Sequence, residues 1–344
     1  MYLLLLSIVV IFLLLLLAAG VIYQRIGSRL DRDRYTEGGR WVNIQPGSGL
    51  YIVEKGVGGP TVVFEAGISA SHLNWRHIQD QVSQFAHTAS YDRLGLGWSS
   101  RARTARTPAN IAKELHRLLE AAGLKPPFLL VAHSFGGLVV RRYALAYPDQ
   151  VAGVVLVDPM RCEEWPPLDS GKQSQVDRGK RLIRYASPIA HCGLARLAVT
   201  SAFRRSGKFS NQLAGAAGSG AQHVLGRIKA EVGKMPREVW PIVAAHWSRP
   251  GFYSGMRMYL DSISDTVIEM DSAEPIRDIP IMLLTPGEST PLTEAGMARI
   301  GNRVQQIIAP ESAHWIHLDE PNLVIESIRS MIANTVAAET ASVP

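Results

Sequence analysis

Four stretches of this chain are apolar at almost every position and only five to seven residues long: Pro60-Thr-Val-Val-Phe64, Phe128-Leu-Leu-Val-Ala132, Val151-Ala-Gly-Val-Val-Leu-Val157 and Ile279-Pro-Ile-Met-Leu-Leu284. A strand without a polar face has to be covered on both sides, which a parallel sheet flanked by helices provides. The intervening segments read as those helices. Thr107-Pro108 is a helix start, Ile111, Leu115, Leu118, Leu119 and Ala122 recur at helical spacing, and Gly123 is the stop. Leu138 to Tyr147 and Leu323 to Val336 read as further helices. Shorter strand-like runs, Trp41-Val-Asn-Ile and Leu50-Tyr-Ile-Val, flank Gly47-Ser48-Gly49, a hairpin signal. Residues 161–272 break the alternation. They lack buried strands and include a low-complexity patch, Gln212 to Gly220. The expectation is an α/β fold with a mostly parallel central sheet, its first part over 38–160 and its second over 273–336. A mainly helical cap is inserted at 161–272, and 337–344 forms a tail.

Ahead of the sheet, Tyr2 to Tyr23 carries no charge and is dominated by Leu and Ile. Twenty-two residues at 1.5 Å per residue reach roughly 33 Å, enough for a ~30 Å hydrocarbon core. No side-chain charge precedes the run, and it is longer than the apolar core of a cleaved leader; Ala18-Ala19-Gly20 is a weak cleavage site. The expectation is a single-pass membrane anchor over residues 1–24 and a polar juxtamembrane linker over 25–37. Arg25, Arg29, Arg32 and Arg34 follow the run, a bias that favours the cytoplasmic face for the remainder.

The chain carries 36 Lys+Arg against 30 Asp+Glu, a formal charge of +6. Between Arg161 and Pro250 there are 15 basic and 6 acidic residues, so the excess is concentrated in the cap. A solvated basic surface is the plain reading and a face near anionic lipid the sharper one. No aromatic-interleaved basic motif accompanies the charge, so no nucleic-acid partner is expected. Cys162 and Cys192, with no CxxC, fall short of a metal site; whether they pair is open from spacing alone.

The chemistry centres on Ala132-His133-Ser134-Phe135-Gly136, which lies between a buried strand and a helix. That is the setting of a nucleophile elbow, where small residues two positions either side of the serine permit a sharp turn. Ala132 departs mildly from the first glycine of the G-x-S-x-G form. An elbow serine needs two backbone donors for an oxyanion: the Phe135 amide, and the Ile68 amide after Gly67 at the end of an earlier strand. It also needs a base, since a serine hydroxyl is a poor nucleophile until its proton is taken. His314 or His317, on the segment Ser312 to Pro321 beyond the last strands, would supply it, with His314 preferred. His72 and His133 have no required role in this scheme.

Taken together, Phe64-Glu-Ala-Gly-Ile-Ser, Tyr91-Asp-Arg-Leu-Gly-Leu-Gly-Trp-Ser99, Ala132-His-Ser-Phe-Gly-Gly137, Leu156-Val-Asp-Pro159 and Ser312-Ala-His314…Glu320-Pro321 resemble the α/β-hydrolase superfamily, especially bacterial capped serine esterases. The similarity runs in order from residue 36 to 335, the cap excepted. It implies the α/β-hydrolase fold, a Ser–acid–His triad, an oxyanion hole, and neither cofactor nor metal. It also implies that Asp92-Arg93 organises a structural turn. The acid departs from the commoner pattern. The turn after the penultimate strand reads Gly287-Glu288-Ser289-Thr290-Pro291, with Thr290 where a carboxylate usually stands. Asp158, just past the strand after the elbow helix, is the favoured acid, and Glu288 is the alternative. The implied activity is hydrolysis of carboxylic esters through an acyl-enzyme. Perhydrolase or acyltransferase chemistry would use the same triad, and a catalytically weak ligand-binding protein is the rival of another class. Trp165, Trp240, Trp247, Met235, Met256 and Met258 in or beside the cap make a hydrophobic small-molecule ester the expected substrate.

Overall fold

A computed structural model describes residues 1–203 and 230–341, with side chains described to residue 335. The low-complexity patch Gln212 to Gly220 lies outside the described residues. The chain divides into two compact units, Met1–Glu37 with Arg178–Arg257, and Gly38–Asp177 with Met258–Pro344.

The second unit is built on one eight-stranded sheet of order β1-β2-β4-β3-β5-β6-β7-β8. β1 (Arg40–Gln45) and β2 (Ser48–Lys55) form the expected hairpin, and β2 pairs antiparallel with β4 (Thr88–Asp92). All remaining pairings, through β3 (Thr61–Glu65), β5 (Phe128–His133), β6 (Val151–Val157), β7 (Ile281–Pro286) and β8 (Val304–Ala309), are parallel. The cap region lies in sequence between β6 and β7. This is the α/β-hydrolase fold.

Successive residues of a strand point to opposite faces, so the wholly apolar strands feed two cores at once. Val63, Leu130, Ala132, Val154, Leu156 and Leu283 enter one cluster. Val62, Phe64, Leu129, Val131, Val155 and Leu284 enter the other. The first is closed by α3 (Pro108–Ala122) through Leu115, Leu118 and Leu119. That helix begins with Pro108 at its first position and ends at Gly123 in the left-handed region (φ +79°), as its sequence signals require. The second cluster is closed by α2 (Arg76–Val82) through Ile78 and Val82, and by α12 (Pro321–Ala341) through Val324 and Ile328. Each fully buried side chain of this kind is worth about 1.5–3 kcal/mol over exposure. The two layers together hold the strand ends in place.

In the first unit, α1 (Tyr2–Tyr35) is long and apolar enough to cross a membrane by length and composition. It does not end where the apolar run ends. Where a polar linker is expected, the helix continues for another three turns, and the reason is a buried polar seam. Gln24 donates to the Ser248 carbonyl (3.0 Å) and the Ser28 hydroxyl (2.9 Å). Arg196, on α6 (Leu194–Ala202), donates to Gln24 (3.2 Å), Ser28 (3.2 Å) and Asp31 (2.6 Å). Both Gln24 and Arg196 are buried. Trp240 and Trp247, on α7 (Trp240–Ser248), flank Phe203 with ring centroids 6.2 and 6.0 Å away. Trp165 belongs to the second unit, against the cluster of Leu138, Cys162, Val267 and Met270. Both cysteines are free thiols.

Candidate active site

β5 runs straight into α4 (Phe135–Ala146), with Ser134 as the single residue between them. Its backbone lies at φ 54°, ψ −122°, a region that costs a non-glycine residue on the order of 1–3 kcal/mol. The surroundings enforce it. The Ser134 amide donates to the Val157 carbonyl (3.1 Å), and its own carbonyl accepts from the Gly137 and Met160 amides at 2.9 and 3.1 Å. Gly136 has no room for a side chain: a Cβ there would lie 2.6 Å from the Ala66 carbonyl and 2.8 Å from that of Glu65.

The end of β3 therefore presses against the elbow. A Cβ on Gly67 would lie 3.5 Å from the Ser134 Cβ and 2.9 Å from the His133 ring. This close approach places the Gly67-Ile68 peptide beside the serine. Neither the Ile68 nor the Phe135 amide has an acceptor among the described residues. A hidden brace fixes the first of these. Arg93, buried just past β4, donates to the Gly67 carbonyl and lies 3.5 Å from Glu65. Because the N–H of a trans peptide points opposite to its C=O, anchoring the Gly67 carbonyl aims the Ile68 amide the other way. The Arg93 guanidinium also stacks over the rings of Phe135 (5.3 Å) and Tyr259 (5.1 Å), which meet edge to face. Burial pushes the Glu65 carboxyl up, with Arg93 and the Tyr91 hydroxyl opposing that shift. Sequence reading assigned Arg93 only to a turn and missed Glu65 and Tyr259. A charged pair inside otherwise apolar motifs was the available signal.

Asp158 follows β6, and its amide donates to the Leu284 carbonyl of β7 (2.9 Å). Its carboxylate lies 2.6 Å from Nδ1 of His314, on the loop after β8. The structure thus brings Asp158 and His314 together. Glu288 is exposed, without a partner among the described residues. The Thr290 carbonyl in the vacated slot accepts from Arg161 (2.7 Å). The His314 loop is braced at its root, where Glu320 accepts from the Ser312 hydroxyl (2.6 Å) and the Glu311 amide (3.0 Å).

His133 joins the elbow to this loop: its Nε2 donates to the His314 carbonyl (2.9 Å), and its ring lies 4.7 Å from that of His314 and 4.3 Å from that of His317. Burial holds the His133 ring neutral, its pKa well below the ordinary value, helped by the neighbouring His317 and His314. A folded-state pKa below the unfolded one means that the unfolded chain binds the extra proton. Stability from this residue is therefore present above about pH 6.5 and lost as pH falls below it, by about 1.4 kcal/mol per pH unit. Urea unfolding of the detergent-solubilised chain at pH 7.0 and 5.5 should show a loss smaller by about 1 kcal/mol in His133→Asn than in the parent. Equal losses would mean that His133 titrates normally in the fold.

A second His–Asp pair is buried elsewhere in the unit, with His72 Nδ1 2.8 Å from Asp92. This pair has the geometry of a catalytic dyad, but Asp92 also accepts from the His72 amide (2.9 Å) and the Trp98 amide (2.8 Å), holding the turn after β4. Side-chain exposure separates the two pairs: 40% for His314 against 10% for His72.

A family model described as alpha/beta hydrolase fold matches residues 60–213. YqjL, an uncharacterized protein of Bacillus subtilis, is 39% identical over 105 residues, 30% of this chain and 42% of that protein. An AB hydrolase superfamily protein of Gibberella zeae is 33% identical over 103 residues, 29% of this chain and 32% of that one. The chain thus spans less than half the length of these curated relatives. Among solved structures, Cfl2 of Burkholderia cenocepacia superposes with a TM-score of 0.66 at 20% identity, covering 86% of this chain and 95% of that one. A thermophilic esterase of Thermogutta terrifontis superposes at 0.58 with 18% identity, covering 86% and 98%. At such identities the likeness is one of fold.

Proposed function

We propose that this α/β-hydrolase-fold chain is a membrane-anchored serine esterase, with Ser134 as nucleophile, His314 as base and Asp158 as the acid that orients it. The observation that carries the reading is the pairing of Asp158 with a solvent-reachable His314, in a unit whose β5–α4 elbow presents a serine at positive φ. Ser134 Oγ attacks the ester carbonyl while His314 Nε2 takes its proton. The carbonyl π electrons move onto oxygen, held by the Ile68 and Phe135 amides. The tetrahedral centre collapses, the alcohol leaves with the proton from His314, and Ser134 carries the acyl group. Water attacks the acyl-enzyme by the same route and releases the acid. No step calls on a cofactor or metal. Asp158 is preferred to Glu288 because its carboxylate lies 2.6 Å from His314 Nδ1 while Glu288 is exposed. The substrate is a hydrophobic acyl ester, and the anchor Tyr2–Tyr23 keeps the enzyme at the membrane, on the cytoplasmic side that Arg25 and Arg29 favour.

The test is covalent. Full-length chain in detergent, treated with a fluorophosphonate and digested, should yield one adduct, on Ser134, that is lost if the protein is heat-unfolded first. A folded sample that gives no adduct, or one elsewhere, removes the triad reading and favours a ligand-binding role.

Arg93 is a positioning residue in this scheme. Arg93→Met, combined with Glu65→Gln so that no buried carboxylate loses its cation, should lower kcat by about 10–100-fold through misplacement of the Ile68 amide. KM should stay nearly unchanged, since ground-state contacts are untouched. A rise in KM at constant kcat would assign Arg93 to substrate binding instead.

A further inference from the structure

The anchor is not a tether. The turn between α5 (Gln173–His191) and α6 is packed directly on α1 at Gly20–Tyr23. A Cβ on Gly20 would run into the Cys192 carbonyl, and one on Gly193 would lie 2.8 Å from the Gly20 carbonyl and 2.9 Å from the Tyr23 ring. One glycine on each element lets the backbones touch. From α6, Arg196 reaches across to Gln24, Ser28 and Asp31 of α1. The contacts fix the axial level: the α5–α6 turn stands beside the last residues of the uncharged run Tyr2–Tyr23, where a spanning helix would leave the hydrocarbon.

At that level the first unit exposes large apolar side chains. Ile22 and Ile26 on α1, Tyr185 and Ile189 on α5, and Leu194 and Leu197 on α6 are all between 45% and 64% accessible. So many large apolar side chains exposed on elements that meet at one turn are unusual on a unit surrounded by water. On α5 the exposed Arg181 and Arg184 lie farther along the helix from the turn than Tyr185 and Ile189, with the exposed Leu182 between them. On α1 the exposed Arg25 and Arg29 alternate with the exposed Ile26 and Leu30 beyond Tyr23. Exposed large apolar side chains interleaved with cations, beside the end of an apolar span, are the composition of an interfacial element whose cations snorkel to phosphates.

We propose that the α5–α6 turn is a second membrane-contact element, seated in the headgroup–acyl boundary of the bilayer that α1 crosses, with Arg181 and Arg184 at anionic lipid phosphates. The inference rests on α1 being a span. It implies that the cap helices of the first unit are partly immersed, so that this unit meets lipid directly.

The experiment uses the full chain with Cys162→Ser and Cys192→Ser, reconstituted in vesicles of phosphatidylcholine with phosphatidylglycerol. Single cysteines at Ile189→Cys or Leu194→Cys carry an environment-sensitive dye. Ile11→Cys in the apolar run and Val57→Cys, 85% exposed beyond β2, serve as bilayer and water references. Expected is quenching of the dyes at 189 and 194 by a shallow spin-labelled lipid at least about twofold above that at 57, with protection from iodide. Exchanging Arg181 and Arg184 for Gln should abolish the extra quenching gained on adding phosphatidylglycerol. Quenching at 11 with none at 189 or 194 overturns the proposal and leaves the anchor standing. No quenching at 11 overturns both. Protection from iodide without lipid quenching assigns the surface to protein, a second copy or another part of the chain, and likewise overturns it.

Discussion

Ser134→Ala should lower ester turnover by roughly 10⁵–10⁶-fold, the range seen when the nucleophile of a serine triad is removed. The loss is large because the base and the acid act only through that oxygen; with it gone, His314 has no proton to move. What survives is the contribution of binding and of the two backbone amides, on the order of 10³–10⁴ over water. The substitution removes one oxygen from a partly exposed position and leaves the elbow's backbone bonds intact, so thermal unfolding should hardly move. Nitrophenyl butyrate hydrolysis by matched preparations of parent and variant measures it. A variant that keeps more than a few per cent of the rate would place the nucleophile elsewhere.

The second large effect concerns the acid. Asp158→Asn should cost about 10⁴-fold in kcat with the fold unchanged, because an amide facing His314 Nδ1 can donate to it and stabilise the wrong tautomer. Glu288→Gln, at an exposed position without a partner among the described residues, should leave the rate where it was. The comparison is decisive in either direction. If Glu288→Gln were the slower enzyme, the Asp158–His314 contact at 2.6 Å would be a resting arrangement that substrate binding breaks.

These two residues also mark how far the sequence could be read. The elbow is local: it is read from five consecutive residues, and the structure carries β5 on to His133 and starts α4 at Phe135, ending it at Ala146. The sheet was legible because strands buried on both faces announce themselves in composition. The choice between Asp158 and Glu288 was not local. It depended on where the loops after β6, β7 and β8 place their side chains, with Asp158 brought to 2.6 Å from His314, a meeting that no spacing encodes. The second half of α1 was hidden for a different reason. Its buried face is Gln24, Ser28 and Asp31, at helical spacing but polar, and a search for apolar periodicity passes over it. Arg93 was hidden because its partner is a backbone carbonyl.

The seam that joins Arg196 to α1 has a consequence for how the protein is made. Gln24 and Arg196 are 172 residues apart. A ribosome adding about 5–20 residues per second leaves α1 waiting for some ten to thirty seconds after it has been synthesised. In that interval six of the eight strands are made, yet β7 and β8 follow only after the segment that completes the first unit. Neither unit can finish before the chain has passed through the other. A chain begun at Gly38 would lack α1 and leave a buried arginine without its carboxylate. Removing one partner of such a pair typically costs about 3–5 kcal/mol. The helix made first therefore waits for partners that arrive only after most of the sheet has been synthesised.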